Sequence, residues 1–156
     1  MGVAGGTLAA RDPTTGFHLR SAGQSVGARL FAVAEQSQAS VCALWLDLDR
    51  FRQVNDSFGY AEADAVIARV AGCIRSVVGE RAAFLRMGSD EFAVLLPAVD
   101  TPDAERIAGR LLAIIDQPMP LGGMLFRPSV SIGITWRHAA DDPLSLLERA
   151  DRAMSE

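Results

Sequence analysis

Two acidic clusters stand where apolar runs end. Asp47-Leu48-Asp49 closes one strongly apolar run. Asp90 and Glu91 follow Gly88 and Ser89 in Met87-Gly88-Ser89-Asp90-Glu91-Phe92, between apolar runs at 84–87 and 92–96. Apolar runs joined by a short Gly-containing loop read as a β-hairpin, which puts Asp90 and Glu91 at its tip. Carboxylates at a hairpin tip cost folding energy unless they are solvated, paired or bound to a cation. If the fold carries the first cluster to the second, the acids form an oxygen-rich site for a hard divalent cation such as Mg²⁺. Such a site neutralises phosphate charge and activates a hydroxyl nucleophile.

These acids need elements to position them. Residues 25–36 carry Val26, Leu30, Val33 and Ala34 at helical spacing. The next run, 41–48, is apolar on both faces, as a central strand covered on each side must be. Residues 56–60 contain Ser57 and Gly59 and read as a loop. A helix follows over 61–78, with Val66, Ile67, Val70, Ala71, Ile74, Val77 and Val78 in one stripe and Gly79 as its stop. After the hairpin, Thr101 reads as an N-cap with Pro102 at the first helical position, and Ile107, Leu111, Ile114 and Ile115 point inward. Pro118, Pro120 and Gly122-Gly123 make a turn-rich connector with a short strand at 124–126. Val130, Ile132, Ile134 and Trp136 alternate with Ser131, Gly133 and Thr135 as a strand with unlike faces. Asp142-Pro143 opens a last helix with Leu147, Ala150 and Met154 on one face. The centre of this order is βαββαβ, which predicts an α+β, ferredoxin-like palm: a mostly antiparallel sheet with helices on one face. In that topology the first strand and the hairpin are neighbours, so Asp47 approaches Asp90 and Glu91.

Composition sets the outer bounds. A chain of 156 residues, 49% apolar and 22% charged, is most simply one soluble domain, here 11–156. A net charge of −4 gives no support to nucleic-acid binding. No apolar run approaches the ~20 residues a bilayer span requires, so no membrane contact is expected. Residues 1–10 are Gly/Ala-rich without a basic region, a poor secretion signal that reads as a flexible leader or cloning remnant. A cytoplasmic location is the default. Cys42 and Cys73 have no metal-ligand spacing around them and read as buried thiols. Trp45 and Trp136 read as core. His18 and His138 fall in loops without partner motifs. The last helix has no C-cap before Glu156, which suggests a piece of a longer protein.

The residues also resemble a family. Asp12-Pro13-Thr14-Thr15-Gly16-Phe17, the run from Asp47 to Asp56, Arg86-Met87-Gly88-Ser89-Asp90-Glu91-Phe92, Val130-Ser131-Ile132-Gly133-Ile134 and Ala150-Asp151-Arg152-Ala153-Met154 resemble, in order, the blocks of the GGDEF family. These are the diguanylate cyclase domains of bacterial signalling. The resemblance implies a domain that binds GTP and works as a transient homodimer. Two such domains join two GTP molecules into cyclic di-GMP, each 3′-hydroxyl attacking the α-phosphate held by the opposite protomer. It implies Mg²⁺ (or Mn²⁺) on Asp47 and the Leu48 carbonyl, completed by Asp90 and Glu91, one of which helps deprotonate the hydroxyl. It places Asn55 and Asp64 on the guanine base, Arg52 on phosphate, and Phe51, Gly88 and Ser89 against the nucleotide. Local readings stand beside these: Asn55 as a turn residue, Asp64 as a first-turn helix acid, Arg52 as a solvated surface charge.

The match has departures. Ser89 replaces the second glycine of the signature, where glycine allows positive φ and close approach of the nucleotide. Tyr60 replaces a histidine, Ala63 a glycine, Leu19 an asparagine, and Arg52 a lysine. The positions of the family's inhibitory product site hold Gly79 and Ala82, so feedback through it is not expected. The alternative reading is therefore a catalytically weak or inactive GTP-binding module that controls an attached cyclic di-GMP phosphodiesterase domain; sensor domains are also expected as neighbours. A pure dimerisation scaffold would bind no nucleotide.

Overall fold

Val41–Leu48 is buried along almost its whole length and forms the middle of the sheet (β2), as its two apolar faces require. The computed structural model describes residues 11–155, so the leader expected at 1–10 lies outside the described residues. Ahead of β2 come a two-residue strand, β1 (His18–Leu19), a 3₁₀ turn (Arg20–Ala22) and helix α1 (Gly23–Gln36). After it come α2 (Phe51–Val78), β3 (Ala83–Arg86), β4 (Glu91–Pro97), α3 (Thr101–Ile115), a small hairpin of β5 (Met119–Leu121) and β6 (Met124–Phe126), β7 (Val130–Trp136) and α4 (Pro143–Ser155). The five-stranded sheet has the order β1-β3-β4-β2-β7, and β5-β6 stands apart. Only the β1–β3 pair is parallel.

Side-chain alternation along β2 divides the core in two. Cys42, Leu44, Leu46 and Leu48 pack under α2 and α3, while Val41, Ala43 and Trp45 pack under α1 and α4. The expected βαββαβ centre is present with α2 and α3 on one face. The expectation of helices on one face only is corrected: the first and last helices cover the other.

Local details also differ from the expectations. Residues 56–60 are not a loop; Asp56, Ser57 and Phe58 stay helical, and Gly59 alone breaks α2 with φ 86° and ψ 174°. Phe51 and Val54 are anchored in the core, and this keeps the segment before the break regular. The cap of α3 is Asp100, whose carboxylate accepts the Asp103 N–H at 2.9 Å; Thr101 and Pro102 are already helical. A charged cap gains from the helix dipole as well as the hydrogen bond. In α1 the buried stripe is Gly23, Gly27, Phe31 and Ala34, and Val33 is 59% exposed. The stripe follows the glycines because a Cβ on Gly27 would lie 2.4 Å from Cβ of Pro143. Ile114 is likewise exposed, on the rim of α3. His18 lies in β1 rather than a loop. Trp45 is core as expected, and Trp136 is half-buried. Both cysteines are free. Cys42 is fully buried, which pushes its thiol up to about 12; Cys73 is only half-buried. No helix among the described residues is long and apolar enough to cross a membrane.

Candidate functional site

The two acidic clusters meet through strand register. Asp47 of β2 lies directly opposite Glu91 of β4. Directly opposed residues of an antiparallel pair project from the same face, so the two carboxylates share one side of the sheet. That side is the α1/α4 face. The Leu48 N–H donates to the Asp90 carbonyl at 2.9 Å, which ties the end of β2 to the turn between β3 and β4. The Met87 N–H donates to the Glu91 carbonyl at 2.8 Å and closes that turn.

A clamp holds the turn from below. Arg86 donates from Nε to the Gly88 carbonyl at 3.2 Å and from Nη2 to the Ser89 carbonyl at 2.8 Å. Its Nη1 donates to Oδ1 of Asp12 at 3.1 Å. Asp12 is itself 7% exposed and accepts the Thr15 N–H at 2.9 Å and the Thr15 hydroxyl at 2.8 Å. Arg20 donates to the Met87 carbonyl at 3.2 Å. The opening block is thus a turn, anchored by the buried Asp12 and Phe17, that fixes the arginine on which the acidic turn rests.

The acids at this end are electrostatically strained. Burial, then the charges of Asp90, Glu91, Asp49 and Asp151, push the Asp47 carboxyl up to about 6. Glu91 is raised by burial and by Asp90 and Asp151, partly offset by Trp45 and Arg20. Excess carboxylate charge with so little cationic compensation is the donor chemistry a hard divalent cation satisfies. Among the described residues no three acidic, histidine or cysteine side chains are gathered closely enough to hold an ion alone. A cation there would have to take its remaining ligands from carbonyl oxygens, water or a bound phosphate.

The structure brings Asp47, Leu48, Gly88, Ser89, Asp90 and Glu91 to one end of the sheet. Asp49 has a separate structural role. Its carboxylate accepts the Ser129 and Ser131 hydroxyls, each at 2.8 Å, and staples β2 to β7. The Phe51 side chain is core at 6% exposure, which leaves its backbone at the start of α2 for a ligand. Arg52 is exposed beside it. The turn into α2 runs through Arg50 at φ 58°, and no side chain caps the helix. Asn55 and Asp64 lie on either side of the Gly59 break, Asn55 half-buried and Asp64 exposed. Neither Gly88 nor Ser89 has a positive φ, so the serine is unstrained. Gly88 is the position with little room, since a Cβ there would lie 2.7 Å from Oε1 of Glu91.

Sequence reading missed the roles of Asp12, Arg86 and Asp151, although all three fall within the motif blocks. The part played by Arg20 had no sequence signal, because its partner is 67 residues away.

Comparison with known proteins agrees with this geometry. The family profile described as diguanylate cyclase, GGDEF domain, matches residues 9–156. The chain belongs to the GGDEF family. Diguanylate cyclase TpbB of Pseudomonas aeruginosa is 39% identical to it over 124 residues, which cover 78% of this chain and 28% of that protein. The GGDEF domain thus spans well under half the length of this curated relative. The solved GGDEF domain of TpbB superimposes with a TM-score of 0.84 at 34% identity, covering 93% of this chain and 86% of that one. The GGDEF domain of DgcB from Caulobacter crescentus, solved in complex with c-di-GMP, gives a TM-score of 0.87 at 26% identity, covering 94% and 88%. The expected α+β palm is the fold shared with these domains.

Proposed function

We propose that this GGDEF domain is a diguanylate cyclase. Two copies, each holding one GTP, face each other; each 3′-hydroxyl attacks the partner's α-phosphate, and cyclic di-GMP and two pyrophosphates leave. The observation that carries the reading is the Asp47–Glu91 register pair, adjoining Asp90 on a turn pinned by Arg86.

Asp47 and Glu91, with Asp90 and the Leu48 carbonyl, are the groups that would hold Mg²⁺ or Mn²⁺. When bound, the cation neutralises phosphate charge and lowers the barrier to attack. The uncapped start of α2 directs backbone amides and the positive end of its dipole at phosphate oxygens, and Arg52 adds a charge there. Asn55 and Asp64 read the guanine edge: a carboxylate accepts from N1–H and the exocyclic amine, which adenine cannot match in the same pattern. Asp90 and Glu91 are the acids placed to accept the hydroxyl proton. The unstrained Ser89 supports turnover over the regulatory-module alternative. The domain belongs in the cytoplasm, where GTP is available, and the length of TpbB is in keeping with attached sensor or phosphodiesterase domains.

The test is incubation with GTP and Mg²⁺ at rising protein concentration, with cyclic di-GMP read by chromatography. Specific activity should climb with concentration, because the reaction needs two domains. GTP binding without product at high concentration overturns the cyclase reading in favour of the regulatory module.

A further inference from the structure

Trp45 stands two residues before Asp47 on the same face of β2, opposite Ala93. Glu91 is its diagonal neighbour on β4, a distance long side chains can bridge. The Trp45 side chain is 3% exposed, yet its buried Nε1–H makes no well-formed hydrogen bond. A buried donor left permanently in that state is a standing cost to the fold. The indole is near enough to favour charge on Glu91, yet it completes no hydrogen bond to it. Glu91 meanwhile folds back over Gly88, its Oε1 filling the place a Cβ would take.

We infer that the Trp45 indole N–H is a positioning donor that holds the Glu91 carboxylate in its cation-binding orientation. The inference rests on the cation site of the cyclase reading. Asp47 and Glu91, which would hold the cation together, stand on the same face of the strand pair as Trp45. Arg20, the nearby cation, gives one N–H to the Met87 carbonyl at 3.2 Å and acts on Glu91 through its charge. Trp45 also lines a cavity of about 590 Å³ with Arg20, Met87 and Asp151. An indole suits this role because it donates one hydrogen bond and brings no charge to compete with the cation. Outer partners of this kind orient metal-binding carboxylates.

The chain has two tryptophans, so an ¹⁵N-labelled sample gives two indole cross-peaks. Titration with Mg²⁺ alone should move the Trp45 indole proton downfield and leave that of Trp136 in place. If the Glu91 backbone amide shifts and the Trp45 indole does not, the cation binds without the indole and the inference fails by itself. If neither shifts up to tens of millimolar Mg²⁺, there is no cation-bound Glu91 for the indole to hold and the inference fails, while the cyclase reading still stands or falls by its own product assay. Trp45→Phe keeps the ring and removes the donor; it should weaken Mg²⁺ binding about tenfold in calorimetry, with Trp136→Phe as the unaffected control. Unchanged affinity in Trp45→Phe overturns the inference.

Discussion

Asp47 is the residue under most strain in the site, and its strain can be measured. Its folded-state value of about 6 lies above the ordinary 3.8, through burial first and neighbouring acids second. Between those values the native chain binds more protons than the unfolded one, so stability falls as pH rises through the window. Urea midpoints of the metal-free protein should carry this downward component from 3.8 to about 6, and Asp47→Asn should remove it. Mg²⁺ should restore stability at the upper end of the window, since a ligand that binds only the native state stabilises it.

Among the elements, two contacts decide whether the site keeps its shape. The first is the clamp between the opening turn and the β3–β4 turn. Removing the guanidinium in Arg86→Met strands the Asp12 carboxylate and frees the Gly88 and Ser89 carbonyls. Loss of one partner of such a half-buried pair should cost about 3 kcal/mol in urea unfolding. Cyclase activity should fall further than stability at temperatures where the variant remains folded. The second contact is α4 on β7. A Cβ on Gly133 would lie 2.2 Å from the Met154 amide nitrogen and 2.7 Å from the Ala150 carbonyl oxygen, both backbone atoms that cannot rotate away. Gly133→Ala should therefore lift α4 and cost about 1–3 kcal/mol of stability, read by thermal or urea unfolding. The same lift should relax Asp47, because α4 carries Asp151.

At the scale of the molecule, the proposed cyclase reaction needs two domains, each supplying half of it. Product forms only when both facing copies hold competent acids, as the symmetry of the proposed assembly demands. Addition of excess Glu91→Gln protein at fixed wild-type concentration should suppress cyclic di-GMP synthesis, as mixed pairs replace productive ones. A rate unchanged by that excess would show that one set of acids suffices.

The chain order of residues determined a good deal by itself. An unbroken apolar run placed β2, alternation placed β7, helical spacing placed most of α2, and the acids at strand ends marked the candidate site, because these are patterns of near neighbours in the chain. The Gly-containing turn marked the hairpin for the same reason. Three-dimensional packing decided the rest. It chose Asp47 over Asp49 as the acid of the candidate site, since register alone says which carboxylate faces Glu91 and which meets Ser129 and Ser131. It also chose the buried stripe of α1, through the approach of Pro143 to Gly27, and the partner of Arg86, which lies 74 residues away. Such pairings depend on how distant strands and helices dock, and no local period encodes them.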